Sequence, residues 1–122
     1  MAYILLLTLS ASELTMDKTK LNTSVTVGKD ATWFSGHFPE NPILPGVAQL
    51  NLVVDLICRC TKKKLRLAGL SRIKFRKIVT PGELLDIRVN CVKTNEQYSF
   101  QITSGSDDVC SGKVFFTPIK QN

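Results

Sequence analysis

The sequence predicts an α+β fold in which an antiparallel sheet wraps around one central, buried helix. Residues 46–60 contain no proline and no glycine after Gly46, and their apolar side chains cover almost the whole circumference of a helix, which is typical of a buried helix. The segments that follow are short, alternate between apolar and polar residues, and are separated by polar turns, as antiparallel strands are. One helix followed by four or five such strands is the pattern of a helix packed on a sheet.

Six segments are expected to form strands. In 21–27 and 84–92 the alternation is clearest, because Leu21, Thr23 and Val25 share one side of the first and Leu85 and Ile87 share one side of the second. These sides are expected to face the core. The other predicted strands are 4–9, 67–79, 98–103 and 109–116.

Length and composition fit a single domain over residues 1–122. The chain is 43% hydrophobic and 21% charged, which is ordinary for a globular protein. No apolar run reaches the roughly 20 residues of a membrane-spanning helix, and the N-terminal stretch lacks the basic start of a secretory signal. The four cysteines form no C-x-x-C pair, and a single histidine cannot complete a zinc site with them. We therefore expect a cytoplasmic protein with reduced thiols, no metal, no organic cofactor and no membrane span.

The net charge of +6 is concentrated in one short segment. Such a cluster predicts an acidic partner, although a merely solvated face would give the same pattern. Nucleic acid is disfavoured, because only Phe75 lies among the charges and no nucleic-acid-binding motif is present. The basic residues are Lys62, Lys63, Lys64, Arg66, Arg72, Lys74, Arg76 and Lys77.

The segment that most suggests chemistry is the loop 36–47, Gly-His-Phe-Pro-Glu-Asn-Pro-Ile-Leu-Pro-Gly-Val. Its three prolines restrict their own backbone and that of the preceding residues, so the loop holds His37 in a stiff frame. Gly46 stands at the predicted helix start, where backbone N–H groups lack partners and the helix dipole is positive. Such amides suit a carbonyl oxygen that gains negative charge, and the missing Cβ of Gly46 leaves room for a ligand.

A polar stripe interrupts the apolar surface of the predicted helix. Asn51, Asp55 and Arg59 are spaced four residues apart and share one side. The stripe either lines a functional site or is a solvent-exposed side of the helix with an ordinary ion pair between Asp55 and Arg59. The residues alone leave both interpretations open.

The loop resembles the signature loop of the β-hydroxyacyl-acyl-carrier-protein dehydratases, which have the hot-dog fold. Trp33-Phe34-Ser35 and the segment 73–83 are similar to the parts of that family that precede the loop and follow the helix. The resemblance covers about residues 25–92. It implies a hot-dog domain that binds acyl thioesters on an acyl carrier protein. It also implies a homodimer or higher homo-oligomer whose sheets join edge to edge, with the site near the dimer interface.

The resemblance further implies roles for individual residues. His37 corresponds to the base that removes the C2 proton of a 3-hydroxyacyl thioester, and the N–H of Gly46 to the donor that polarises the thioester carbonyl. Phe38, Pro45 and Val47 correspond to positions that surround the substrate. The basic cluster would bind the acidic carrier protein.

The chain departs from the family at the acidic position. The family's acid acts on the C3 hydroxyl and lies fourteen positions after the histidine, where this sequence has Asn51. Asp55 stands where many members have glutamine. A neutral amide cannot donate a proton to a leaving hydroxide. Asp55 could replace the acid, or Asn51 could orient the hydroxyl while His37 moves the proton, or the chain could bind acyl groups without dehydrating them.

Three functions follow from these alternatives. The first is dehydration of 3-hydroxyacyl thioesters, or the reverse hydration of enoyl thioesters, in fatty-acid or specialised lipid synthesis. Residues 45–50 also resemble dehydratase-like proteins of aryl polyene pathways. The second function is thioester hydrolysis, with water activated by Asp55. The third is a non-catalytic acyl- or carrier-protein-binding partner of an active paralogue.

Overall fold

The computed structural model describes residues 7–9, 15–16, 20–28, 43–61, 64–93 and 96–119. Within these ranges one helix and seven strands form, and the strands make one antiparallel sheet in the order β1-β3-β5-β6-β7-β4, with β2 beside β3. The predicted α+β architecture is confirmed. The elements are β1 (Leu7–Leu9), β2 (Thr15–Met16), β3 (Lys20–Val27), α1 (Gly46–Thr61), β4 (Leu65–Phe75), β5 (Leu84–Lys93), β6 (Gln97–Ser104) and β7 (Asp107–Pro118).

The inward face of the sheet carries the core. The alternation predicted for β3 and β5 is confirmed, since Thr23 lies opposite Ile87 and Val25 opposite Leu85, and all four are buried. β6 and β7 extend the same face, where the rings of Tyr98 and Phe116 meet edge to face with centroids 5.8 Å apart. The other buried side chains of these two strands are Phe100, Ile102, Val109, Cys110 and Val114.

The helix packs on this face with one of its sides only. The buried residues of α1 are Ala48, Gln49, Leu52, Val53, Leu56 and Ile57. Val47 is 64% exposed, and Asn51, Val54 and Asp55 are half-buried. The almost complete burial expected from the sequence is therefore wrong for the single chain, because one sheet layer covers only the facing side of a helix.

The edge strand β4 differs from the prediction of 67–79. It begins at Leu65 and ends at Phe75. Its register with β7 shifts between Ser71 and Lys74, and Arg72 adopts a φ of 55°, a left-handed conformation that non-glycine residues rarely take. The resulting bulge lies against Gly112, where an added Cβ would be only 2.3 Å from Cδ1 of Ile73.

Beyond β4 the chain leaves the sheet and secures the start of the helix. The N–H of Arg76 donates to the carbonyl of Val109 at 2.8 Å, and the N–H of Leu44 donates to the carbonyl of Val79 at 2.8 Å. Val79 is buried. The apolar pattern that suggested a longer strand therefore has another cause: Val79 is buried beside the segment that leads into α1, whereas Ile78 is exposed.

A tight turn at Pro81-Gly82 starts β5, and Glu83 organises it. Gly82 has a φ of 87°, and the Glu83 carboxylate accepts hydrogen bonds from the Thr80 N–H at 2.6 Å, the Thr80 hydroxyl at 3.1 Å, the Ser104 hydroxyl at 3.1 Å and the Lys77 ammonium. Burial alone would raise the pKa of Glu83, but these donors outweigh it and lower the pKa to about 2. Lys77, one of the predicted basic cluster, is therefore engaged in an ion pair within the fold.

The cysteines of α1, β5 and β7 form no disulfide bond, and burial raises the pKa of Cys110 to about 11. In the described ranges no three or more His, Cys, Asp or Glu side chains are grouped so that they could hold a metal ion. Nor does any helix there have the length and apolar character needed to cross a bilayer.

The substitution Glu83→Gln should destabilise the protein at neutral pH but not in strong acid. Because the folded pKa of about 2 lies below the ordinary 4.5, the stabilisation is complete above about pH 4.5 and is lost as the pH falls through about 2. A shift of that size corresponds to about 3 kcal/mol. Urea unfolding at pH 7 and pH 2 measures the difference.

The control is Glu96→Gln, which removes a more exposed ion pair with Lys93. It should change the free energy of unfolding by less than about 1 kcal/mol. A Glu83→Gln effect of equal size at both pH values would show that the carboxylate's charge is not what stabilises the turn.

Candidate active site

Three hydrogen bonds stabilise the start of α1. The carbonyl of Pro45 accepts the N–H groups of Ala48 at 3.0 Å and Gln49 at 3.2 Å, and the side-chain amide of Gln49 donates to the carbonyl of Leu44 at 3.4 Å. Within the described part of the chain, the N–H groups of Gly46 and Val47 are not used in this way. They remain as donors at the positive end of the helix dipole.

The Phe75 ring packs directly on Gly46. A Cβ at Gly46 would lie 2.6 Å from Cζ and 2.8 Å from Cε1 of Phe75, which is an overlap. The space that the sequence prediction left for a ligand above this glycine is therefore filled by an aromatic ring. Phe75 is itself 51% exposed, so it forms an apolar wall beside the helix start.

Asp55 lies at the boundary between α1 and the sheet. Its Oδ2 accepts a hydrogen bond from Nε of Arg59 at 2.8 Å, and its side chain is 18% exposed. It also lines a cavity of about 20 Å³ together with Thr23 of β3 and Ile87 of β5. The ion pair that the sequence allowed between Asp55 and Arg59 is therefore present, whereas the role of the stripe in a functional site stays a prediction.

Burial is the largest influence on the acidity of Asp55 and raises its pKa above the usual value, while the charge and hydrogen bond of Arg59 act in the opposite direction. Asn51, one turn earlier, is half-buried. His37 and Phe38 lie outside the described residues, so their predicted roles stay predictions.

The predicted basic cluster separates into two groups because β4 is extended. In the sheet register Arg66 pairs with Thr117 and Lys74 with Ser111, six residues apart on β7, which is about 20 Å at the usual rise per residue. Lys64 and Arg66 stand at one end. Arg72, Lys74 and Arg76 stand at the other end, near Phe75 and the start of α1. Lys62 and Lys63 lie outside the described residues.

The second group lines an open groove of about 560 Å³ between β4, β6 and β7, called here the basic groove. Lys113 of β7 joins it, because Lys113 pairs with Ser71 in the sheet register. Nη1 of Arg76 donates to Oγ of Ser111 at 3.0 Å. The sequence prediction missed Lys113, since only the strand pairing brings it to β4.

Comparison with known proteins decides the family. Residues 13–113 match the family described as ApeI-like, ApeI dehydratase. The chain belongs to the ApeI-like dehydratase family. This confirms the predicted relationship to dehydratases and the predicted enzyme class, a hydro-lyase.

Relatives of the ApeI-like dehydratase agree with this assignment. The 3-hydroxyacyl-[acyl-carrier-protein] dehydratase FabZ of Lactiplantibacillus plantarum is 32% identical over 115 residues, which cover 83% of this chain and 78% of that protein.

The solved structure of the dehydratase heterocomplex ApeI:P from Xenorhabdus doucetiae gives a TM-score of 0.75 at 23% identity, covering 82% of this chain and 88% of that one. A hypothetical thioesterase from Streptococcus pneumoniae, solved with coenzyme A, gives 0.64 at 14% identity and covers 94% of this chain and 88% of that one. These two likenesses show the fold alone and confirm that it is the hot-dog fold.

The contact between Phe75 and Gly46 predicts an unusual response to alanine. Gly46→Ala should destabilise the wild type, because the new methyl group displaces the ring of Phe75. In a Phe75→Ala background the same change should have little effect, because no ring remains to be displaced and Gly46 is the first residue of the helix rather than an interior one. Thermal or urea unfolding of the four proteins forms a double-mutant cycle.

A coupling energy near zero in this cycle would contradict the packing of the ring on the helix start. Gly69→Ala is the matched control, because nothing lies within 4 Å of a Cβ added there. Its effect should be the same with and without Phe75.

Proposed function

We propose that this ApeI-like dehydratase removes water from 3-hydroxyacyl thioesters carried on an acyl carrier protein and also catalyses the reverse hydration of enoyl thioesters. The family match supports the reaction class, and the name of the FabZ relative supports the substrate class. Within the chain the proposal rests on Asp55, a largely buried carboxyl with a raised pKa. It stands one helical turn after the position where the family has its acid.

In the proposed reaction His37 takes the C2 proton, and the N–H groups of Gly46 and Val47 bind the thioester oxygen as it gains negative charge. Protonated Asp55 gives its proton to the C3 oxygen. The C3–O bond breaks, its electrons leave with the oxygen as water, and the C2–H electrons form the C2=C3 double bond. Asn51 accepts or donates a hydrogen bond that orients the C3 hydroxyl.

The surroundings of Asp55 suit a general acid both before and after it donates its proton. Burial favours the neutral form, which is the form that donates a proton. Arg59 stands 2.8 Å from Oδ2 and stabilises the carboxylate that remains after transfer. A fully solvated aspartate would hold almost no proton at neutral pH, so the half-buried position is what makes Asp55 useful.

The basic groove is the proposed docking site of the acidic carrier protein. Arg72, Lys74, Arg76 and Lys113 line it. It lies at the same end of β4 as Phe75 but on the outward face of the sheet, since Lys74 pairs with Ser111 whereas Phe75 pairs with the buried Cys110. In this proposal the pantetheine arm of a carrier bound there passes around that end of β4 to reach Gly46. Lys64 and Arg66, at the far end of β4, contribute little in this arrangement.

The proposed assembly is a homodimer, or a higher oligomer, formed through the edge of β4. This strand ends the sheet in the described chain and carries Leu67 and Leu70, which are 40% and 43% exposed. Edge pairing would cover these side chains and the unpaired backbone groups. We place the protein in the cytoplasm, where thiols stay reduced.

The non-catalytic alternative has one observation in its favour, namely Asn51 at the acid position. Hydrolysis of the thioester has only a fold likeness to thioesterases behind it. Loss of the conjugated absorbance of an enoyl thioester reports hydration, and release of free thiol reports hydrolysis. Carrier binding with neither signal would support the non-catalytic alternative.

The acid assignment predicts an order of effects among three variants in the hydration assay. His37→Ala should abolish hydration, because no base would remain to exchange the C2 proton. Asp55→Asn should lower the rate by about 10²–10⁴-fold, as loss of a general acid does. Asn51→Ala should lower it less than Asp55→Asn, because an orienting hydrogen bond contributes less than proton transfer.

Thermal unfolding controls for misfolding of these variants. An Asn51→Ala effect larger than that of Asp55→Asn would remove Asp55 from the acid role. Full activity of His37→Ala would remove the assigned base.

Charge reversal tests the docking site. The double variant Lys74→Glu and Lys113→Glu should raise KM for a carrier-bound substrate at least tenfold, because it places like charges against the acidic carrier. The matched control is Lys64→Glu with Arg66→Glu, which changes the net charge equally at the other end of β4 and should raise KM much less. KM for a short pantetheine thioester should stay unchanged in both. Equal effects of the two pairs would mean that only net charge matters.

A further inference from the structure

Thr23 has a buried hydroxyl group without a hydrogen-bond partner among the described residues. It lies on the inward face of β3, is 4% exposed and stands opposite Ile87 of β5. Its Oγ1 makes no hydrogen bond to any residue that the structure describes. Leu21 and Val25, its neighbours on the same face, are apolar. Valine would fit this register without burying a hydroxyl, so the hydroxyl needs an explanation of its own.

The cavity beside Thr23 offers that explanation. It has a volume of about 20 Å³, which exceeds the roughly 10–15 Å³ that one water molecule needs and is too small for an acyl chain. Its polar lining consists of Thr23, Asp55 and Arg59. The rest of the lining is apolar and consists of Val25, Leu52, Leu56 and Ile87. Among the described lining residues, the hydrogen-bonding partners for a water molecule there are Thr23 and the Asp55–Arg59 pair.

We propose that Thr23 is a positioning residue, whose hydroxyl and the carboxyl of Asp55 together bind one water molecule in this cavity. Arg59 already uses Oδ2 of Asp55, so Oδ1 is the oxygen that remains for this water. Held by Arg59 on one oxygen and by the water on the other, the carboxyl is fixed in one orientation. The role in catalysis rests on the proposed function of Asp55 as the acid, but the water site does not.

The ionisable groups around Asp55 are few. On its own helix Arg59 is in contact with it. Cys58 and Cys60 are close enough that the Asp55 charge contributes, after burial, to raising the pKa of both thiols, while Arg59 acts against this at Cys60. From the strands packed against this part of α1, the cavity receives only Thr23, Val25 and Ile87. A change in the pKa of Asp55 after substitution of Thr23 is therefore attributed to loss of the Thr23 hydroxyl and of the water molecule that it binds.

The test compares Thr23→Val with Thr23→Ser and with Thr26→Val. The first removes the hydroxyl at nearly constant shape, and the second keeps it. The third makes the same chemical change on the same strand, at a half-buried position facing the other side. Each protein is studied by thermal unfolding, by ¹³C NMR titration of the Asp55 carboxyl, and by hydration of a short enoyl-pantetheine thioester.

Thr23→Val should lower the Tm by about 3–5 °C, raise the pKa of Asp55 by about half a unit to one unit, and slow hydration about tenfold. The pKa rises because the carboxylate loses a hydrogen bond that favours its charged form. Thr23→Ser should restore all three quantities, and Thr26→Val should leave the pKa and the rate unchanged.

A raised Tm of Thr23→Val together with an unchanged pKa of Asp55 would overturn the proposal. If the hydroxyl were merely buried without a partner, Thr23→Val would raise the Tm and leave the pKa of Asp55 unchanged. The two proposals fail separately. Should the wild type hydrate no enoyl thioester, the proposed function fails, while the Tm and the pKa still decide whether the water site exists.

Discussion

The packing of one side of α1 on the inward face of the sheet is the constraint on which the rest of the structure depends. Leu52, Val53, Leu56 and Ile57 are buried there, and each contributes about 1.5–3 kcal/mol relative to an exposed side chain. This contact fixes the rotation of the helix. It therefore places Asp55 at the boundary of the interface, where it is neither fully solvated nor sealed in the core, and that position raises its pKa.

The sheet also sets the start of the helix. The connection after β4 binds Leu44 through the carbonyl of Val79, and the ring of Phe75 at the end of the same strand packs on Gly46. One strand thus carries the Phe75 contact with the helix N-terminus on its inward face and part of the basic groove on its outward face. Carbonyl binding, carrier docking and dimer formation in the proposed function all depend on where β4 lies.

The features predicted correctly from the sequence are those that depend on short-range periodicity and on a dense local motif. The helix bounds agree within one residue, and the inward faces of β3 and β5 are correct. The end of β4 could not be predicted, because Val79 is buried beside Leu44 through a long-range contact rather than by strand pairing, and Ile78 before it is exposed.

For the proposed site, Asp55 was suggested by helical spacing, and its role stays a prediction. Thr23, Phe75 and Lys113 were missed as contributors because their positions depend on strand register, which no local pattern fixes. The basic residues were grouped by proximity in sequence, but an extended strand separates the two groups by about 20 Å.

The claim at the centre of this account is that the acid has moved by one helical turn, from the position of Asn51 to Asp55. A crystal structure with a non-hydrolysable 3-hydroxyacyl-pantetheine analogue tests it most directly. We expect the C3 hydroxyl oxygen within about 2.6–3.2 Å of the Asp55 carboxyl, with the carbonyl oxygen on the amide of Gly46. A C3 hydroxyl bound to Asn51 alone, with Asp55 contacting only Arg59, would contradict the account.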